Sequence, residues 1–180
     1  MKCVGLLYRD NLSSAASMAD RLASLLRAQG LCVWKGQADD EQALRGVASS
    51  LDLLITLGGD GTIVRAVRCV SPFEVPILGV NLGRLGFLAE VEPDQVEAAL
   101  PALLAGAYQV EERMILRVEV ERASEMVLST EAVNEVVMAR GLASRTVRIS
   151  VAVDGHHVFT PTCDGIIVAT PTGSTAYCLA

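Results

Sequence analysis

The hydrophobic positions along the chain fall into two regimes. In the first, short apolar runs alternate with stretches of helical period. Residues 3–8 are continuously apolar, the pattern of a strand buried on both faces. Asn11 or Ser13 can cap a following helix in which Met18, Leu22, Leu25 and Leu26 share one face. Gly30 then stands where a helix-closing glycine belongs. Residues 31–34 read as a second strand, 39–48 as a helix and 51–57 as a third strand. Residues 62–70 read as a helix and 76–80 as a fourth strand. This β-α-β-α-β-α-β order predicts a Rossmann-like α/β domain, with a parallel sheet and helices on both faces.

Past Pro93, Val96, Leu100, Leu103 and Leu104 mark one side of a further helix that closes at Gly106. Pro101 is expected to kink it or to begin a second short helix. The pattern then changes. Residues 114–120, 133–139, 146–153 and 166–169 read as strands with no helix between them, and Asp154-Gly155 is a hairpin signal. The chain is therefore expected to divide near Gly106 into an α/β domain, 1–106, and a mostly antiparallel β domain, 107–180. The sequence stops at Ala180, where a helix after Gly173 is expected. That predicts an incomplete second domain with unpaired strand edges and exposed apolar surface, and with them poor solubility or partner-dependent folding.

Composition narrows the class. The chain has 180 residues, 51% hydrophobic and 20% charged, enough apolar content to outweigh the entropy cost of ordering and to exclude a disordered chain. Its net charge is −6, and 13 of its 15 basic residues are scattered arginines, a poor footprint for nucleic acid. Five cysteines (Cys3, Cys32, Cys69, Cys163 and Cys178) make an odd count with no C-x-x-C spacing. A zinc site or disulfide framework is not expected, and buried thiols in a reducing compartment fit better. No apolar run has the length of a membrane span or a signal-peptide core, so the sequence predicts a soluble, cytoplasmic protein without a membrane partner.

Four segments carry candidate chemistry. Gly58-Gly59-Asp60-Gly61-Thr62 follows a predicted buried strand and opens a predicted helix. Its glycines allow a tight turn and close approach of a ligand, and their N–H groups at a helix N-terminus suit phosphate. Asp60 is either the N-cap of an ordinary strand-to-helix turn or an acid with a task, activating a hydroxyl or helping to hold a metal ion. Neither Walker A nor G-x-G-x-x-G spacing is present. The second segment, Asn81-Leu82-Gly83-Arg84-Leu85-Gly86-Phe87, falls on the same C-terminal edge of the predicted sheet, where open α/β sheets bind ligands. There Asn81 can bond a polar ligand group and Phe87 can stack on a ring, or Phe87 is simply core.

The third segment is Asn134-Glu135 within an apolar run. Buried unpaired, two such side chains cost several kcal/mol; a ribose diol would satisfy them, as would exposure at a strand end. The fourth runs from Cys163-Asp164-Gly165 through Thr170-Pro171-Thr172-Gly173-Ser174-Thr175-Ala176-Tyr177. Its hydroxyls at a predicted helix start suit phosphate or ribose, or only cap the helix. His156 and His157 flank the Asp154-Gly155 turn and read as a solvated hairpin tip. Cys163 reads as a small apolar residue, with no base beside it in sequence.

Taken in this order, with Glu112-Arg113-Met114 ahead of the second domain, these motifs resemble the NAD kinase family over essentially the whole chain. A GGDGT loop also occurs in lipid kinases, but the TPTGSTAY stretch with the Asn-Glu pair is more specific. The resemblance implies phosphoryl transfer from ATP, or inorganic polyphosphate, to the 2′-hydroxyl of the adenosine ribose of NAD, giving NADP. A divalent cation, Mg2+ above others, would assist. It gives Asp60 the catalytic role and makes Gly58, Gly59, Gly61 and Thr62 the phosphate-binding loop. Phe87, Asn134, Glu135, Asp164, Thr172, Thr175, Ala176 and Tyr177 match positions that bind NAD. The first domain would then be nucleotide-binding and the second NAD-binding, in a homodimer or homotetramer. Two alternatives stay open: a catalytically silent NAD- or NADP-binding module, and a lipid-type kinase sharing the GGDGT loop.

Overall fold

The computed structural model describes residues 1–83, 86–141 and 145–180; Arg84 and Leu85 of the second motif lie outside the described residues. The chain forms two compact units, Met1–Glu111 and Glu112–Ala180. In the first, the elements are β1 (Cys3–Tyr8), α1 (Ser13–Ala28), β2 (Cys32–Gln37), α2 (Glu41–Val47), β3 (Leu53–Gly58), α3 (Asp60–Val70), β4 (Ile77–Asn81) and α4 (Val96–Leu104). The strands form one all-parallel sheet in the order β2-β1-β3-β4. The order reverses between β1 and β3, so the C-terminal ends of those two strands form the switch point where such sheets accept ligands.

Alternation along β1 and β3 sends side chains to two separate cores. Val4, Leu6, Leu53, Ile55 and Leu57 meet Leu22 and Leu26 of α1 and Val96, Leu100 and Leu103 of α4. Leu7 and Leu54 meet Leu44 of α2 and Ala66, Cys69 and Val70 of α3. All six residues of β3 are buried, which is why its sequence shows no polar alternation.

Several details of unit 1 differ from expectation. The cap position of α1 is Leu12, with no side-chain hydrogen bond. Ser13 is already helical, and Asn11 Oδ1 instead accepts from Arg9 Nε at 3.0 Å. Leu25 is 41% exposed, because it lies one residue step, about 100°, round the helix from Leu26. The buried stripe is Ala15, Met18, Ala19, Leu22 and Leu26, with Ala23 beside it. β2 extends to Gln37 because it pairs with the whole of β1. Pro101 sits inside α4 without starting a second helix. Gly30 (φ +80°) and Gly106 (φ +75°) do close their helices in the left-handed region.

The second unit is built of antiparallel pairs. β5 (Leu116–Arg122) pairs with β6 (Glu125–Ala132), and β7 (Glu135–Ala139) pairs with β12 (Gly165–Ala169). Between them in sequence lie β8 (Val147–Arg148), β9 (Val151–Val153), β10 (His156–Phe159) and β11 (Thr162–Cys163), with β8 paired to β11 and β9 to β10. β6 is an added strand. The strand expected over 146–153 is two, and the one expected from Val133 begins at Glu135. In place of a helix after Gly173 stand two single 3-10 turns, Gly173–Thr175 and Tyr177–Leu179. Asp154 (φ +50°) and Gly155 (φ +78°) make the expected tight hairpin turn.

Val120, Met126, Val127, Met138 and Val168 are exposed. Among the described residues of this unit only Val133, Thr170 and Gly173 are fully buried.

The β5–β6 turn is made by Ala123 and Ser124, at φ +51° and +65°, two side chains ill suited to that region. Replacing the pair (Ala123→Asn with Ser124→Gly) is expected to stabilise the second unit by about 1–2 kcal/mol. A rise in the denaturation midpoint followed by circular dichroism would show it.

Candidate functional site

β3 delivers its C-terminal residue, Gly58, to the switch-point edge, and α3 begins two residues later at Asp60. None of Gly58, Gly59 and Gly61 has a positive φ, so backbone conformation does not call for glycine there. Gly58 has a packing reason: a Cβ would press on Thr62, whose own Cβ lies 3.0 Å from that point. At Gly59 and Gly61 a Cβ would meet nothing within 4 Å. Glycine without a conformational or packing reason, on a loop at a helix N-terminus, leaves close approach of a ligand as its physical explanation.

Asp60 is the first residue of α3 rather than its cap; Gly59 holds the cap position. Its carboxylate reaches across to the segment after β4. Asp60 Oδ2 accepts the Phe87 N–H at 2.8 Å, and Oδ1 accepts that of Leu88 at 3.2 Å. The carboxylate lies directly over Gly86, where a Cβ would stand 2.6 Å from Oδ2. Gly86 is therefore glycine because of Asp60. Each oxygen keeps a second acceptor position beyond these bonds.

Asn81 is buried and its Oδ1 accepts the Gly83 N–H at 3.2 Å, so it shapes its own loop. Phe87 is 75% exposed, which excludes the core alternative for that ring. Behind the loop, Arg65 pairs with Asp39 and Arg68 with Glu41 (2.9 Å), linking α3 to the segment opening α2.

In the second unit, a buried hydroxyl organises the candidate loop. Thr170 Oγ1 donates to Val133 O at 2.5 Å and accepts the Gly173 N–H at 3.0 Å. The Thr170 N–H donates to Asn134 O at 2.8 Å. Gly173 lies on the Asn134 backbone so closely that a Cβ would stand 2.6 Å from Asn134 Cα. This stitching holds Thr170 and Gly173 against the chain at Val133 and Asn134. Thr172 Oγ1 accepts from Arg113, at 3.3 Å, and Thr175 Oγ1 donates to Thr172 O at 3.2 Å. Tyr177 is 61% exposed.

Asn134 Oδ1 and Glu135 Oε2 are buried without a hydrogen-bond partner, against the general rule that buried polar atoms are satisfied. A solvated strand end does not account for these atoms.

Asp164 is not brought to that pair. β7 and β12 run antiparallel, with Ala169 opposite Glu135 and Gly165 opposite Ala139. Asp164 thus lies at the far end of the ladder, roughly 17 Å along the strands from Glu135. There it accepts from Arg140 Nε at 2.9 Å.

His156 and His157 are exposed in β10, and the His157 ring bonds Thr160 Oγ1 at 2.8 Å, as a hairpin position implies. The expectation of buried thiols holds for Cys69 alone; Cys3 and Cys163 are half-buried, and Cys32 and Cys178 exposed. Among the described residues no three His, Cys, Asp or Glu side chains converge as a metal cage, and no helix is long and apolar enough to cross a membrane. Sequence reasoning missed the bonds from Asp60 to residues 87 and 88 and the Thr170 stitch. The one signal for the latter is a hydroxyl directly after the apolar run 166–169.

Residues 34–108 match the model of the ATP-NAD kinase N-terminal domain, and residues 133–180 that of the ATP-NAD kinase C-terminal domain. An NAD kinase of Moorella thermoacetica is 47% identical over 148 residues, 82% of this chain and 45% of that protein. One of Natranaerobius thermophilus is 37% identical over 185 residues, 98% of this chain and 65% of that protein. The chain therefore spans from just under half to about two thirds of the length of these curated relatives. Among solved structures, yeast NADH kinase complexed with NADH superimposes with a TM-score of 0.79 at 23% identity. It covers 99% of this chain and 60% of its own, a likeness of fold. A diacylglycerol kinase from Bacillus anthracis reaches 0.50 at 13% identity over 93% of this chain and 64% of its own, again a likeness of fold only. With two matched domains that together take in more than half of its residues, in the order the motifs predict, the chain belongs to the NAD kinase family.

Proposed function

We propose that the protein is an NAD kinase, transferring the terminal phosphoryl group of ATP, or of inorganic polyphosphate, to the 2′-hydroxyl of the adenosine ribose of NAD. The observation that carries this reading is the buried, unpartnered pair Asn134 Oδ1 and Glu135 Oε2. Acceptors on two successive residues, both withdrawn from water, call for a ligand that brings donors to them. A ribose diol has that chemistry, and pairing it would recover the desolvation cost of both atoms.

The roles divide between the units. In unit 1, Gly58, Gly59, Gly61 and Thr62 receive phosphate on the open face of the loop. Asp60 accepts the proton of the 2′-hydroxyl as its oxygen bonds to phosphorus and the bridging P–O bond of the donor breaks. Such a transfer depends mostly on positioning and charge stabilisation, which a rigid loop ahead of a helix supplies. Phe87 offers an exposed ring for stacking. In unit 2, Asn134, Glu135, Thr172, Thr175, Ala176 and Tyr177 hold NAD, and Asp164 serves from its place beside Arg140.

A divalent cation, Mg2+ above others, would be supplied with the donor phosphates and would offset their charge, a habit of Mg2+ that calls for few protein ligands. We further assign the nucleotide-binding role to the α/β domain, 1–106, and NAD binding to the β domain, 107–180, in a cytoplasmic homodimer or homotetramer.

Four outcomes test this. Asp60→Asn is expected to lower NADP formation from NAD and Mg-ATP by about 10²–10⁴-fold while NAD binding persists. Undiminished turnover would remove Asp60 as the base, and binding without turnover in both forms would favour a silent nucleotide-binding module. Asn134→Ala and Glu135→Ala are each expected to raise the KM for NAD by roughly 10–100-fold with Tm unchanged or raised, since neither atom has a partner to lose. Gly173→Ala is expected to destabilise the second unit by about 2–4 kcal/mol, because backbone rather than a movable side chain stands in the way. Gly86→Ala displaces only the Asp60 carboxylate and is expected to lower turnover more than stability. Thermal melts beside initial rates separate these two effects.

A further inference from the structure

Cys3 and Cys32 open the β1–β2 ladder as register partners. Their sulfur atoms stand 2.8 Å apart. Neighbouring strands lie about 4.8 Å apart, within the Cα separation that a disulfide spans. The rung is held on both sides. The Cys32 N–H donates to Lys2 O at 2.9 Å, and Asp52 accepts the N–H groups of Lys2 and Cys3, the latter at 2.8 Å. Closing a bond between the sulfurs thus requires no movement of either strand.

From this geometry we propose that Cys3 and Cys32 are a redox-active pair that closes into an intrachain disulfide on reaction with a small-molecule disulfide.

Access sets the order of events. Cys32 is exposed on the edge strand, whereas Cys3 is half-buried. Burial first, then the hydrogen bond and charge of Cys32, push the Cys3 thiol up to about 11. The Cys32 sulfur attacks one sulfur of the oxidant RS–SR, forming a mixed disulfide and releasing RS⁻, which takes up the Cys32 proton. Cys3 Sγ then attacks Cys32 Sγ, the second RS⁻ leaves, and it takes up the Cys3 proton. Two protein thiols are oxidised and one RS–SR is reduced to two RSH.

The bond fastens edge strand β2 to β1 at their N-terminal ends. Gly58-Gly59-Asp60 lies at the C-terminal edge of the same sheet, about 20 Å along the strands, so the lock acts on the stability of unit 1 and not on the chemistry of the loop.

The test is incubation of the 180-residue chain with oxidised glutathione, followed by thiol counting and a non-reducing tryptic digest. Thiols counted after denaturation are expected to fall from five to three. Peptides 3–9 and 28–35 are expected to run as one species that a reductant separates. The oxidised chain is expected to melt roughly 5–10 °C above the reduced one. Cys32→Ser should abolish both the cross-link and the shift. Glutathione retained on Cys32 with Cys3 still open to alkylation would overturn the proposal, as would two alkylatable thiols or a cross-link to any other cysteine.

Discussion

The first unit depends on the burial of β3. Its six residues are enclosed by helices on both faces, α1 and α4 to one side and α2 and α3 to the other. Deleting one such leucine costs about 2–5 kcal/mol, so the strand has little freedom to shift in register or tilt. What that rigidity fixes is the end of the strand. Gly58 emerges at the switch point with α3 immediately behind it, and the open face above Gly59 and Gly61 follows from that placement. A loop on a looser strand could carry the same glycines and hold a phosphate less well, because its N–H groups would not be pre-aimed.

Asp60 couples that loop to a second one. By accepting the N–H groups of Phe87 and Leu88, its carboxylate ties the helix start to the chain leaving β4. The same group therefore has a structural and a chemical reason to be aspartate. An asparagine in its place offers one acceptor oxygen, so the second N–H meets a donor instead. Gly86 completes the arrangement by leaving room for the carboxylate.

The second unit has a different economy. It exposes much of its apolar surface and concentrates full burial at Val133, Thr170 and Gly173, next to the pair whose acceptors lack partners. Thr170 holds the 170–176 loop against the chain at Val133 and Asn134, and Gly173 permits backbone to lie on backbone. Local order is thus greatest where ligand chemistry is proposed, and the unsatisfied atoms are the stability given up to keep that position ready for a polar ligand.

Much of this was legible in the residues themselves. Apolar runs and helical spacing predict the four-stranded α/β unit, and Gly30, Gly106 and Asp154-Gly155 announce their turns, because period and turn chemistry act between near neighbours. The GGDGT loop and the TPTGSTAY stretch carry the family resemblance for the same reason. The Ala123-Ser124 turn escaped, since neither residue favours positive φ and only strand pairing holds them there. Leu25 and the cap of α1 depended on where one helix began. The clamp from Asp60 to residues 87 and 88, the Thr170 stitch, the fit of Gly173 on Asn134 and the separation of Asp164 from Glu135 belong to tertiary structure alone. Each joins or parts residues 27 to 39 positions apart. No local period encodes whether a buried oxygen meets a donor across such a distance; only the packed backbone decides it.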